Sequence, residues 1–114
     1  MKLNHKTAQM GEDRACAFLK QKGFSIVARN WHCTFGEIDI IAKQKDLLVF
    51  VEVKYRKSSA FGGAAYSITS SKLLKMRRTI EYYLQQFPHK GYVRADAVLI
   101  EGNQSLEHIE NILE

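Results

Sequence analysis

Apolar residues recur along this chain with two periods, and the changes of period mark its elements. From about His5 to Lys22, Ala8, Ala15 and Leu19 fall at helical spacing, and Gly23 follows as a stop. Glu12 sits in the same stripe, so this first helix is predicted to carry one carboxylate on its inward face. From Phe24 the period drops to two. Phe24–Trp31, Gly36–Ala42 and Leu47–Lys54 read as three strands, the last two joined by a tight polar turn at Lys45–Asp46. The stretch YRKSSAFGGAAYSI then breaks the pattern, and its Gly62–Gly63 pair predicts a mobile loop. Thr69 or Ser70 is placed to cap a second helix running to about Gln86. Leu73, Met76, Ile80, Tyr83, Leu84 and Phe87 form its predicted buried stripe. Tyr92–Ile100 reads as a fourth strand and His108–Leu113 as a short fifth. The order predicts an α/β fold, a mixed four- to five-stranded sheet flanked by helices.

Two polar interruptions change this picture. Glu37 and Asp39 break the second strand, and Glu52 and Lys54 break the third. Side chains alternate along a strand, so Phe50, Glu52 and Lys54 are expected on one face, and Glu37, Asp39 and Ile41 on one face opposite Ile38 and Ile40. A two-residue turn at Lys45–Asp46 pairs Gln44 with Leu47, which sets Asp39 opposite Glu52 and Glu37 opposite Lys54. Directly opposed Cβ atoms are only ~5 Å apart, and like charges there repel. A divalent cation gives two such carboxylates a reason to coexist. Mg²⁺ or Mn²⁺ takes hard oxygen ligands, and Asp39 and Glu52 supply them, with the Val53 carbonyl as a third donor. Lys54, on the same face, is placed to orient water or to stabilise a phosphorane-like transition state. These are the parts of metal-assisted phosphodiester hydrolysis. The plainer alternative is a salt-bridged sheet edge in which Asp39 pairs with Lys54 and Glu37 pairs outward.

Composition and charge bound the class. With 114 residues, 46% hydrophobic and 25% charged, residues 1–114 make one globular domain. No apolar run approaches a membrane span, and the polar N-terminus lacks a secretory segment, so a cytoplasmic protein with no membrane partner is predicted. Cys16 and Cys33 form no CxxC pair and read as reduced thiols, and the four histidines show no metal-ligand spacing. All seventeen basic residues precede position 95, against seven acidic ones, leaving a formal +10 on that part. Five acids and no base follow. A basic body of this kind suits a nucleic-acid partner.

The blocks GEIDIIA and LVFVEVKYR, with GEDRACAFL before them and RADAVLI after, resemble the YraN family of bacterial proteins. That family is similar in pattern to the PD-(D/E)xK nucleases and, within them, to archaeal Holliday-junction resolvases. The resemblance implies a restriction-endonuclease-like core. It assigns Asp39 as the first acid of the motif, Glu52 and Lys54 as its (D/E)xK, and Glu12 as the helical glutamate that completes such sites. Ile38 stands where the superfamily has proline, as is usual for this branch.

Lys72 and Lys75, on the helix after the ExK strand, and Arg56 are candidates to touch phosphate. Arg94 and Asp96 share a strand face and read as a structural ion pair; Trp31, Tyr82 and Tyr83 read as packing. The favoured function is a Mg²⁺- or Mn²⁺-dependent endonuclease acting on DNA, with branched or structured DNA as its suggested substrate. Cutting a junction would need a homodimer to reach two strands. The competing functions are a nucleic-acid-binding module of the same fold with little turnover, and a subunit whose basic face meets an acidic protein.

Overall fold

A computed structural model describes the backbone of residues 2–56, 68–102 and 105–114, with side chains from Gln9 onward. Its elements run α1 (Lys2–Gln21), β1 (Ser25–Cys33), β2 (Gly36–Gln44), β3 (Leu47–Arg56), α2 (Ser70–Gln86), β4 (Tyr92–Glu101) and β5 (Ser105–Ile109). The five strands form one sheet in sequence order. Neighbours are antiparallel except β3 and β4, which run parallel because α2 carries the chain back across the sheet. The α/β fold and the mixed sheet are as expected. The Gly62–Gly63 loop lies outside the described residues. No helix among the described residues is long and apolar enough to cross a membrane.

Local chemistry accounts for most boundaries. Gly23, at φ 97°, closes α1: its N–H donates to the Lys20 carbonyl, and the Phe24 N–H to that of Leu19. The Thr69 hydroxyl caps α2 by accepting the Lys72 N–H. Lys45, at φ 55°, makes the two-residue turn, and Gln44 pairs with Leu47 as predicted.

β3 is central and buried on both faces. Val49 and Val51 pack with Ile40, Ala15 and Leu19 beneath α1, whereas Leu48 and Phe50 pack with Ile41, Met76, Ile80 and Tyr83 beneath α2. Each large side chain so buried contributes about 1.5–3 kcal/mol relative to exposure.

The structure corrects three expectations. β5 ends at Ile109 instead of spanning His108–Leu113. Asn111 turns out of the strand at φ 63°, donating its N–H to Asp96, and the Ile112 N–H goes to the Ala95 carbonyl. Phe87 leaves the buried stripe: it stands just past α2, 53% exposed, with its ring against Tyr83. Thr79 is buried in its stead, its hydroxyl donating to the Lys75 carbonyl one turn back.

The third correction concerns alternation in β2. Ile38 packs beneath α2, and Ile40 beneath α1, so they do not share a face. β1 changes face at the same level: both Ala28 and Trp31 pack toward α2, three residues apart. Between them Asn30 takes a left-handed φ of 51°. The β1–β2 register brackets Asn30 and Asp39 as the opposed pair, and the β2–β3 ladder stops one residue short, at Ile40–Val51. The kink is shared by two strands and opens a fork between β2 and β3 at Asp39.

Gly91 tests the anchoring of the β2–β3 turn. The Asp46 carbonyl accepts from both the Tyr92 N–H and His89 Nε2 at 2.8 Å, and a Cβ on Gly91 would overlap that carbonyl. Gly91→Ala should therefore destabilise the fold by about 3 kcal/mol, seen as a lower denaturant midpoint. An unchanged midpoint would show that the turn does not need this close approach.

Candidate active site

The site begins at the fork. Where the β2–β3 ladder ends, the Val53 N–H has lost the strand carbonyl it would otherwise meet, and Asp39 Oδ2 accepts it instead at 2.8 Å. This draws the Asp39 carboxylate into the gap beside Glu52, the residue before Val53. Glu52 is buried on the α2 face of β3, and its Oε2 receives Lys54 Nζ at 3.5 Å and Lys72 Nζ at 3.2 Å. Lys54 thus pairs with Glu52, and among the described residues the Asp39–Lys54 pair of the plainer alternative does not form. The Glu37–Lys54 opposition expected from an unbroken register is replaced because the ladder ends before reaching them.

Glu12 reaches the fork from the other side of the sheet. Gly11 lets α1 approach β3 closely, since a Cβ there would lie 3.1 Å from Tyr55 Cβ. The next residue, Glu12, is half-buried, 3.5 Å from Arg29, and Arg29 also binds Asp13 at 2.7 Å. Glu12, Arg29, Asn30, Glu37 and Asp39 line one cleft of about 740 Å³. A second cleft, of about 330 Å³, lies between the β1–β2 hairpin and α2 and includes Lys72 and Lys75; His32 and Glu37 wall both. Arg56 stands exposed at the end of β3, four residues beyond Glu52.

Electrostatics mark Asp39 as the strained member. Its pKa is raised from 3.8 to about 7, chiefly by burial, then by the Glu52 carboxylate, with smaller contributions from Glu12 and Glu37. The Val53 N–H pulls it back only in part. Among the described residues no three His, Cys, Asp or Glu side chains gather closely enough to hold a metal by themselves. Mg²⁺ and Mn²⁺ do not need three: one or two carboxylates plus waters suffice. The hard oxygens of Asp39 and Glu52 fit such a cation, with Glu12 and Glu37 close enough to be felt at Asp39.

Asp96 is the contrasting carboxylate. It is fully buried, yet Arg94 binds it through Nε and a terminal nitrogen at 2.9 Å, His108 Nε2 lies 2.8 Å away, and the Asn111 N–H donates at 3.0 Å. The structural ion pair read from the sequence is present and larger than expected. Lys22 Nζ meets the other nitrogen of His108 at 2.9 Å, which assigns the Nε2–H tautomer donating to Asp96. The aromatic residues pack as predicted, Trp31 edge-on to Tyr83 at 5.1 Å and 6.3 Å from Tyr82. Both cysteines are free, and burial raises the Cys16 thiol, keeping it protonated and inert. Sequence reasoning missed Arg29, Asn30 and His32. Of these only Asn30 carried a cue, since Asn tolerates left-handed backbone.

The raised Asp39 pKa has a sign that stability can report. Between its unfolded value near 4 and about 7, the metal-free native state binds a proton that the unfolded chain has released. Stability should therefore be highest below that window and fall as pH rises through it, by on the order of a few kcal/mol. Asp39→Asn keeps an oxygen for the Val53 N–H and should remove most of this decline. Denaturant midpoints in EDTA from pH 4 to 8 measure it. Parallel wild-type and variant curves would mean that Asp39 is ionised throughout.

Known proteins match most of this chain. The uncharacterised protein family UPF0102 matches residues 11–100, which includes Glu12, Asp39, Glu52 and Lys54. A UPF0102 protein of Neisseria gonorrhoeae is 58% identical over 113 residues, covering 98% of each chain. One of Neisseria meningitidis serogroup C is equally similar, 58% over 113 residues and 98% of each. A UPF0102 protein of Nitrosomonas eutropha is 44% identical over 100 residues, 88% of this chain and 86% of its own. Matched over most of its length, the chain belongs to family UPF0102, in keeping with its YraN-like blocks.

Proposed function

We propose that this protein is a Mg²⁺- or Mn²⁺-dependent endonuclease that hydrolyses phosphodiester bonds in DNA, with a site of the PD-(D/E)xK type. The observation that carries the reading is the Asp39 carboxylate, held in the strand fork beside Glu52 with its pKa pushed up to about 7. A buried acid that lacks enough donors of its own is poised for a cation. Asp39 and Glu52 would hold it. The bound cation would neutralise charge on the attacked phosphate and make a water nucleophilic near neutral pH. Lys54, next along the face from Glu52, supplies a positive charge for the developing oxyanion. Lys72, and Lys75 one turn further on, line the route by which a phosphate backbone would approach. Net basic charge over residues 1–94 supports a polyanionic substrate.

A second reading keeps the fold and the DNA but little turnover. It is favoured by Glu52, whose Oε2 already carries two ammonium groups. A cleavage panel of linear, flap, junction and RNA substrates, each with Mg²⁺, Mn²⁺ or EDTA, separates the two. The nuclease reading expects metal-dependent DNA cleavage that falls at least ~100-fold in Asp39→Asn and Glu52→Gln, while metal-free DNA affinity holds or rises. Lys54→Met should abolish turnover yet leave metal binding largely intact. Wild-type cleavage by folded Glu52→Gln protein would end the assignment.

Affinity for DNA should also fall steeply with salt, because each neutralised phosphate releases counterions. Lys75→Glu should weaken binding and flatten the log–log salt slope by about 1. Filter binding across a salt series measures both; salt-indifferent binding would point to the acidic-protein partner instead.

A further inference from the structure

The tip of the β1–β2 hairpin carries an aromatic group that core packing does not explain. Phe35 sits in the two-residue turn between Cys33 and Gly36 and is 45% exposed. Its ring lies 5.6 Å from Tyr82, which is backed at 6.3 Å by Trp31, itself 5.1 Å from the buried Tyr83. Phe35 is thus the outermost ring of a series rooted in the core. The hairpin is seated on α2 beside it: a Cβ on Gly36 would lie 2.8 Å from Thr79 Oγ1. An exposed ring held from behind keeps one surface open without conformational cost.

What surrounds it is cationic. Lys75, Arg78 and Tyr82 follow at i, i+3 and i+7 on α2, so one helix row presents two positive charges and then the ring that supports Phe35. The cleft between hairpin and helix contains Lys72, Lys75 and His32, and it shares His32 and Glu37 as walls with the cleft of Asp39. His32 Nδ1 donates to the Asn30 carbonyl at 3.1 Å, which leaves Nε2 for a ligand. Phe35, just before β2, and Asp39 within it are four residues apart, at most about 13 Å at the rise of a strand. That is roughly the length of four stacked nucleotides.

A ring beside a basic groove suits single-stranded nucleic acid, whose bases stack on aromatic faces while its phosphates meet cations. Bases of a continuous duplex are stacked on each other and offer no such face. We propose that Phe35, supported by Tyr82, is the platform on which an unpaired base of the cut strand stacks. The substrate class is then DNA with unpaired nucleotides within about four positions of the scissile phosphate. This rests on the nuclease reading for the position of that phosphate, but the stacking itself does not require turnover.

The test uses the full chain carrying Asp39→Asn, so that nothing is cut during the measurement. Fluorescence anisotropy compares a labelled DNA bearing a single-stranded flap with the matching continuous duplex. 2-Aminopurine at each unpaired position in turn reports stacking by quenching. The flap should bind more tightly, with quenching confined to one or two adjacent positions. Phe35→Ala should lose roughly 5- to 100-fold in flap affinity with little change on duplex, and lose the quenching. Phe35→Leu keeps an apolar contact with Tyr82 and should melt like wild type, yet lose the same preference. Phe35→Trp should retain it. Equal flap and duplex affinity, or equal losses on both in Phe35→Leu, overturns the platform. Metal-dependent cleavage by wild type with no Phe35 dependence overturns the platform alone. Phe35-dependent flap binding without cleavage under any metal overturns the nuclease reading alone, and failure to bind either DNA overturns both.

Discussion

One hydrogen bond organises the candidate site of this molecule. Strands β2 and β3 part after Ile40–Val51, and a parting of strands normally leaves a donor that must be satisfied. Here the Val53 N–H is satisfied by Asp39 Oδ2. The bond stabilises the fork and, by the same act, fixes a carboxylate beside Glu52. Asn30 on the other side makes the bend in β2 affordable by adopting a left-handed conformation opposite it. The site is therefore built from main-chain geometry in three strands. Glu12, Lys72 and Lys75 are delivered by helices.

Two carboxylates of the sheet, Asp39 and Asp96, show what such a fold does with buried charge. Asp96 faces a guanidinium, an imidazole and a main-chain N–H, so its charge is answered in full and rigidly. Asp39 has one donor among the described residues, the Val53 N–H, and three acidic neighbours that raise its pKa. Both are expensive to bury. Asp96 recovers the cost within the native structure and so ties β4, β5 and the C-terminal turn together. Asp39 does not recover it without a proton or a cation. On the proposed reading, that imbalance, not burial alone, distinguishes the functional acid from the structural one.

Much of this was legible in the sequence because tight turns fix register. Lys45–Asp46 determined the Gln44–Leu47 pairing, and with it Asp39 near Glu52, before any coordinates. The helices were legible through their caps, Gly23 and Thr69. The face change in β2 was not, because counting by twos assumes an unbroken ladder, and the break lies at the site itself. Ile38 beneath α2 and Ile40 beneath α1 are the result. The His108–Asp96 contact was hidden for another reason: twelve residues separate them, and only the β4–β5 register brings them together. Phe87 failed as a core residue because helical periodicity was extended one step past the last helical residue, Gln86.

The same imbalance bears on how α2 is attached. Lys72 and Lys54 meet at one oxygen of Glu52, two positive charges on a single acceptor. In the absence of a cation this arrangement lowers the repulsion between Glu52 and Asp39, and it pins the first turn of α2 to β3. On the proposed reading, positive charge between Asp39 and Glu52 makes one of those ammonium groups redundant. Lys72 is the more exposed of the two, at 39% against 26% for Lys54, and it lines the hairpin–helix cleft. It is the one with somewhere to go, toward an incoming phosphate. Lys54 is on the strand beside Glu52 and stays with the reacting centre. On the proposed reading the two lysines therefore have separable roles: Lys54 would act at the bond being broken, and Lys72 would link metal occupancy to substrate capture.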